Sequence, residues 1–338
     1  MSGDKLFLTY NQQMKKLRND KNIACVGSTS KKILIRAGYF NIVNGYKTPF
    51  VSGIDSSGKH IYIPGTDLNQ LLAVKKFDDA LRLLLIKYIS QIEEEVRTLA
   101  GYKFDECNDK GSIPWYSIDA YSPRKSLQNR MDVISKAYKE ISVSQQEYVK
   151  FYLNNHAQIP TWITVKAINF ATFIDLLDYS KEPVKHALCN LYGLEDSHGK
   201  PNVKLLIGSL HWMRKIRNSC AHNERIYCIS RSPGPSGSRN NGSGRIKEKY
   251  FSALGSRYTR DNHQKLFDLI VYFKYYLPKN EFKSFIKEIK NMLLDLQSKI
   301  HPNAFDAVRG SMGIKNLLDL DALQAIPKDE IEYNKFDK

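Results

Sequence analysis

Apolar residues recur at three- and four-residue steps along most of this 338-residue chain, the rhythm of a helix with one buried face. The strongest case spans 67–100, where Leu68, Leu71, Leu72, Phe77, Leu81, Leu84, Tyr88, Ile92, Val96 and Leu99 keep that step. Asp67 is placed to cap its start and Gly101 to close it. The same rhythm predicts helices over 8–22, 28–45 (one or two, with Ser28 or Ser30 as N-cap), 125–141, 144–154, 164–178, 182–191, 202–222, 262–276 and 281–298. Pro160 and Pro183 stand near helix starts, where a missing N–H costs least. Only residues 50–64 alternate as strands do, around the turn Ser56-Ser57-Gly58, and predict a small hairpin. Apolar stripes of this length need helical partners, so the expected fold is mainly α, a multi-helix bundle with one small β-hairpin. The expected organisation is an N-terminal helical region with the hairpin (1–66), a helical domain (67–300) and a short, looser C-terminal tail (301–338). A Gly/Pro/Ser-rich stretch at 230–245 is a loop that no core would recruit, and no internal repeat is visible.

Composition narrows the class. Hydrophobic residues at 42% and charged residues at 25% fit a folded chain rather than a disordered one. Apolar runs such as Leu83-Leu84-Leu85-Ile86 fall far short of a bilayer span, and Met1 to Thr9 carries no basic-then-apolar leader, so a cytoplasmic protein with no membrane partner is expected. Five cysteines, none in a Cys-x-x-Cys pair, disfavour a zinc ribbon or a disulfide scaffold and suit a reducing compartment.

Charge changes the picture most. Fifty-one Lys and Arg against thirty-five Asp and Glu give +16. From Lys204 to Arg260, twelve Lys or Arg face only Glu224 and Glu248, so this stretch alone carries +10. A surplus so concentrated attracts a polyanion, and nucleic acid is the common one. Inside it lies His211-Trp212-Met213-Arg214-Lys215-Ile216-Arg217-Asn218-Ser219-Cys220-Ala221-His222-Asn223-Glu224-Arg225. On a helix, Leu206, Leu210, Met213, Ile216 and Cys220 face the core, while His211, Arg214, Asn218, His222 and Arg225 line another side. Guanidinium binds phosphate with a planar fork, and an imidazole moves protons near neutral pH. Arg217 and His222, five apart, diverge by roughly 140° on an ideal helix, so Arg217 must reach round or the helix must end near His222. Arg followed by His at this distance also occurs by chance; the second instance, Arg257 to His263, lacks the Asn after the Arg and reads as a helix start.

Arg217-Asn218-Ser219-Cys220-Ala221-His222 resembles the Arg-Asn-x-x-x-His signature of HEPN ribonucleases (higher eukaryotes and prokaryotes nucleotide-binding), and the chain is similar to the Abi-like abortive-infection family of AbiD/AbiF type. Gly38-Tyr39-Phe40, Gly45-Tyr46, Phe77-Asp78-Asp79-Ala80-Leu81-Arg82 and Ile92-Glu93-Glu94-Glu95-Val96-Arg97 carry the likeness further, with weaker echoes in Pro160-Thr161-Trp162-Ile163 and Met312-Gly313-Ile314. The resemblance implies a HEPN-type helical domain and endoribonuclease activity in antiphage abortive infection, with no metal and no cofactor. It implies a homodimer whose two Arg-His sets meet in one composite site, bound to RNA, either a structured non-coding RNA or the target. By motif, His222 is the general acid or base at the 2′-hydroxyl, Arg217 holds the phosphate and Asn218 orients His222.

Around this catalytic set, Arg214, Lys215, Arg225, Arg231, Lys247 and Lys249, with Arg124, Lys125 and Arg130 on a second basic helix, are the candidate RNA-binding residues. Asp79 and Arg82 read as a helix-surface ion pair that supports the site, and Glu93-Glu94-Glu95 with Arg97 as a solvated run. Tyr272-Phe273-Lys274-Tyr275-Tyr276 reads as core rather than as a base-stacking strip. Two rivals stay open: a non-catalytic RNA-binding scaffold, and transfer of a nucleotide to a partner, which has no Gly-rich phosphate loop behind it.

Overall fold

A computed structural model describes residues 7–231 and 245–336. It is mainly α-helical, as the periodicity predicts. The N-terminal part holds α1 (Tyr10–Lys21), α2 (Gly27–Ala37) and a π-helical turn, Phe40–Asn44, then a hairpin of β1 (Val51–Ile54) and β2 (His60–Tyr62). The axis of the molecule is α3 (Leu68–Cys107). The middle of the chain winds through α4 (Leu127–Ser142), α5 (Glu147–Asn155), α6 (Thr161–Ala167), α7 (Phe170–Tyr179), α8 (Glu182–Tyr192) and α9 (Val203–Ala221). Beyond the undescribed residues come α10 (Lys249–Ala253), α11 (Ser256–Thr259), α12 (Leu266–Tyr276), α13 (Lys279–Gln297), α14 (Pro302–Met312) and α15 (Leu318–Ala325). A second, two-residue ladder pairs β3 (Ser230–Arg231) with β4 (Gln264–Lys265), strands too short to show as alternation in the sequence.

Helix α3 starts where expected, with the Asp67 carboxylate accepting the Gln70 N–H at 2.8 Å. It does not stop at Gly101. That glycine is buried mid-helix, and a Cβ there would lie 3.2 Å from Val165, so it admits α6 to close approach rather than ending α3. Phe104 continues the buried stripe of Val96 and Ala100 and carries the helix to Cys107.

The expected helix over 164–178 is two. It breaks at Ile168-Asn169, and the Asn169 side chain caps Thr172 N–H at 3.0 Å to start α7. Residues 302–312 and 318–325 are helices rather than a loose tail, because Ala304, Phe305, Val308 and Met312 form one more buried stripe. Neither Ser28 nor Ser30 is the N-cap of α2; Val26 holds that place, its N–H bonded to the Ser30 hydroxyl at 3.0 Å.

All of α12 is buried, including Tyr272, Phe273, Lys274, Tyr275 and Tyr276, which settles that segment as core. The Lys274 ammonium survives there by donating to the carbonyls of Leu323 (2.5 Å) and Ile326 (2.6 Å) at the end of α15. One apolar cluster runs from Met14 to Leu323, with α3 packed against α2, α6, α8, α9 and α13. Among the described residues no helix is long and apolar enough to cross a membrane.

Candidate functional site

Helix α9 presents its apolar residues Leu206, Leu210, Met213, Ile216 and Cys220 to the core, all buried. Its end is built by sequence. His222 is the C-cap, Asn223 follows in the left-handed region (φ 54°), Asn223 N–H bonds Cys220 O (3.2 Å) and Glu224 N–H bonds Ser219 O (2.9 Å). That bond pair is a Schellman closure with Asn where Gly is commonest. The Ser219 hydroxyl ties down the Glu224 carboxylate at 2.5 Å. The helix therefore ends at the catalytic candidate, His222 being its last position before the chain turns away.

Beneath this turn sits a carboxylate, Asp78 of α3, fully buried. It accepts from the main-chain N–H of Ile226 (3.0 Å) and Tyr227 (2.8 Å), the Tyr46 hydroxyl (2.9 Å) and the Arg82 guanidinium (3.0 Å). Burial is the strongest influence and raises its pKa, with these four donors acting the other way. Arg82 also donates to Glu224 O (3.1 Å) and pairs with Asp79. Tyr46 lies against Tyr227, ring centroids 6.2 Å apart, and Arg225 reaches Gly45 O at 2.8 Å. Three stretches distant in sequence, 40–46, 75–86 and 220–228, thus meet around one turn.

Together they enclose a cleft of about 980 Å³ whose wall includes Lys75, Asp79, Arg82, His222, Glu224 and Arg225. Arg225 forms no ion pair among the described residues and is exposed. The cleft also meets Cys220, whose thiol burial pushes up to about 12, so it stays protonated and is no nucleophile. Phe40 (73% exposed) and Leu83 (72% exposed) lie bare at the rim.

Arg217 stands beside this cleft and not in its wall. Its guanidinium lies 3.8 Å from Glu93 of α3 and donates to the Asn218 side-chain carbonyl at 3.4 Å. Asn218 in turn accepts the His222 main-chain N–H at 3.0 Å. Arg217 opposite Glu93 and Glu224 opposite Arg82 make α9 antiparallel to α3. Glu93 is not part of a solvated acidic run: it also pairs with Arg97 at 2.7 Å, while Glu95 accepts the Tyr192 hydroxyl at 2.7 Å.

The remaining basic candidates divide among other places. His211 and Arg214 share a side of α9 with His222, yet eleven residues of helix put His211 roughly 16 Å away. Asp175 and Asp178 of α7 act on His211, whose pKa falls through burial first and Arg214 second. Lys215 and Arg231 belong to that neighbourhood, since Arg231 is the second cause, after burial, that lowers Lys215. Lys125 pairs with Asp178 at 2.7 Å, Arg130 donates to Ile118 O at 3.3 Å, and Arg124 is exposed. Lys247 and Lys249 are exposed before and in α10, Lys249 lying 3.8 Å from Glu195. Of the loop at 230–245, residues 232–244 lie outside the described residues. No group of three or more His, Cys, Asp or Glu gathers to hold a metal among the described residues.

Sequence reasoning chose Asp79 and passed over its neighbour Asp78, the group that anchors the turn. A signal was present: Asp78 falls on the apolar stripe of Leu71, Val74, Leu81 and Leu85, where a carboxylate needs donors. Tyr46 and Lys75 had no local signal of this kind.

With this geometry in place, comparison with known proteins adds one match. The family model described as Abi-like protein covers residues 32–228, more than half of the chain and every residue so far placed in the cleft. No curated protein and no solved structure matches.

Proposed function

The chain belongs to the Abi-like protein family, whose membership supports a role in abortive infection, and from that premise we propose that it is a metal-independent HEPN-type endoribonuclease. The observation that carries the reading is an exposed imidazole, His222, set by a Schellman turn at the wall of a cleft with Lys75, Arg82 and Arg225. RNA supplies its own nucleophile. His222 takes the proton of the ribose 2′-hydroxyl, the 2′-oxygen attacks the adjacent phosphorus and the bond to the 5′-oxygen breaks, the departing 5′-oxygen taking a proton from water, which leaves a 2′,3′-cyclic phosphate and a 5′-hydroxyl. Arg225 and Arg217 neutralise charge on the phosphoryl oxygens, the preorganised electrostatic contribution that acyl- and phosphoryl-transfer sites share. Asn218 braces Arg217 through its side chain and His222 through its main chain.

A second copy completes the site. Phe40 and Leu83 at the rim are the apolar surface such a homodimer would cover, bringing the partner's cations toward this chain's His222. Structured or target RNA is the expected polyanion for the +16 chain.

A second reading, an RNA-binding scaffold, is favoured by one specific observation: Arg217 is held by Glu93 beside the cleft, not within its wall. Cleavage of supplied RNA in chelator separates the two. The nuclease reading expects product from the native chain, none from His222→Ala or Arg217→Ala, and none from a strand with deoxyribose at the cut. Equal cleavage by the His222→Ala protein would remove it, and no cleavage of any RNA would leave the scaffold.

A further inference from the structure

Away from the cleft and sharing no residue with it, the corner formed by α4, α5 and the segments before and after them holds a second concavity, of about 310 Å³. Aromatic rings make its walls. Trp115 lies 4.9 Å from Tyr138 and 5.5 Å from Tyr116, centroid to centroid, and Tyr116 lies 5.7 Å from Tyr138. Across from them Tyr152 and His156 stack at 4.8 Å with 28° between their planes, backed by Phe151, which stands edge-on to both from outside the wall. The walls are held in place: Trp115 N–H donates to Ile159 O at 2.9 Å, and the Tyr116 hydroxyl to Gln158 Oε1 at 2.8 Å. They are nevertheless wet. At the mouth, Tyr138 and Leu153 are each 45% exposed, values a core would not leave to large apolar side chains, while Trp115 is buried at the back.

Size and charge choose the occupant. The volume is at the small end of the roughly 300–1,000 Å³ of small-molecule sites, room for one planar ring system and its sugar and too little for a helix. Lys139 follows Tyr138 on α4 and Lys150 stands one turn before Leu153 on α5; both are exposed, lie outside the pocket wall and form no ion pair among the described residues. Rings that offer faces beside unpaired ammonium groups are the elements with which proteins hold unstacked bases and the phosphates flanking them. We propose that this pocket binds a nucleobase of single-stranded RNA between Tyr138 and Tyr152, with Lys139 and Lys150 against the adjoining phosphates. The inference takes its ligand class from the RNA reading above but needs no cleavage at His222.

The test uses the full chain carrying His222→Ala, so that the probe is not consumed, and reads the anisotropy of a short labelled single-stranded oligoadenylate. Tyr138→Ala and Tyr152→Ala each weaken binding about tenfold, the scale of one missing base stack, while Tyr138→Phe and Tyr152→Phe keep it. An abasic strand of equal length binds more weakly and no longer senses the alanine variants. Lys139→Gln with Lys150→Gln flattens the salt dependence by about 0.7 in log–log slope for each phosphate left without its ammonium. Circular dichroism and the melting temperature of each variant establish that it is folded. Undiminished binding in folded alanine variants, or an abasic strand bound as tightly as the intact one, would overturn the pocket while leaving the nuclease reading standing. Failure of the His222→Ala chain to bind the oligonucleotide at all would likewise overturn the pocket, and cleavage that survives His222→Ala would remove only the catalytic reading.

Discussion

Two buried arginine–carboxylate pairs in this molecule use the same chemistry to opposite ends. Arg245 meets Asp268 with two bonds of 2.9 and 2.8 Å, donates to Tyr258 O at 2.8 Å and lies 4.4 Å over the Phe251 ring. Asp268 spends a further lone pair on Lys265 N–H at 2.9 Å, and both partners are nearly without solvent contact. That pair is closed on every side and holds the start of the segment leading to α10 against α12. Asp78 and Arg82 are joined by one bond, and they spend their remaining capacity on the turn after His222, on the Tyr46 hydroxyl and on the half-exposed Asp79. The second pair opens onto a cleft. A closed pair fixes the fold; an open one holds the edge of a cleft in place while its arginine stays at the wall.

The sharpest break between the two regions is catalytic. His222→Ala should lower RNA cleavage by about 10²–10⁴-fold without moving the melting temperature, because the side chain is exposed. Unchanged cleavage would make the open region merely structural. On the closed side, Arg245→Ala strands a buried carboxylate and should cost about 3–5 kcal/mol in chemical denaturation, with cleavage per folded molecule retained. A loss below about 1 kcal/mol would mean that water reaches Asp268.

Asp78→Asn tests the intermediate case. It removes acceptors from buried donors, so a loss of about 1–3 kcal/mol is expected, together with at least a tenfold fall in cleavage as the His222 turn loosens. Full cleavage from the weakened protein would reduce Asp78 to scaffold. Acidity offers another contrast. Burial pushes Glu248, beside the closed pair, up to about 6, so the folded chain holds its proton more tightly than the unfolded one. The associated stability is present below the ordinary 4.5 and is lost as pH rises through about 6, a decline worth about 2 kcal/mol. Glu248→Gln should flatten that window in a pH series of denaturation midpoints; an unaltered slope would assign it elsewhere. Smallest of all, Asn223→Gly should shift stability by no more than about 0.5 kcal/mol and preserve cleavage, since glycine accepts the left-handed turn at least as well. A large loss there would show that the Asn223 side chain, and not its backbone, matters.

Much of this architecture is legible in the chain. Helix starts with a side-chain cap, such as Asp67, and stripes that repeat through α9 and α13, depend on neighbours within a turn or two and so are written locally. The Arg217-Asn218…His222 set is legible for the same reason; of the two ways left open for it, a reaching Arg217 or a helix ending near His222, the structure has the helix end there, with Asn223 in the left-handed turn. Gly101 misled because a glycine at a helix end and a glycine at a close helix crossing look alike until Val165 is in place. Asp79 was preferred to Asp78 because an i,i+3 partner is readable along the chain, whereas donors nearly 150 residues away are not.

What the sequence alone determined, then, is the helical class, the basic stretch and the identity of the imidazole at the end of α9, all set by short-range spacing and composition. The tertiary structure alone decided which carboxylate anchors that imidazole's turn, that Arg217 rests on Glu93 outside the cleft wall, and that Gly45 and Tyr46 close the cleft from the N-terminal side. The physical reason is burial: a charge removed from water takes its position from whichever donors the packed helices bring to it, and those donors come from segments far apart in the chain.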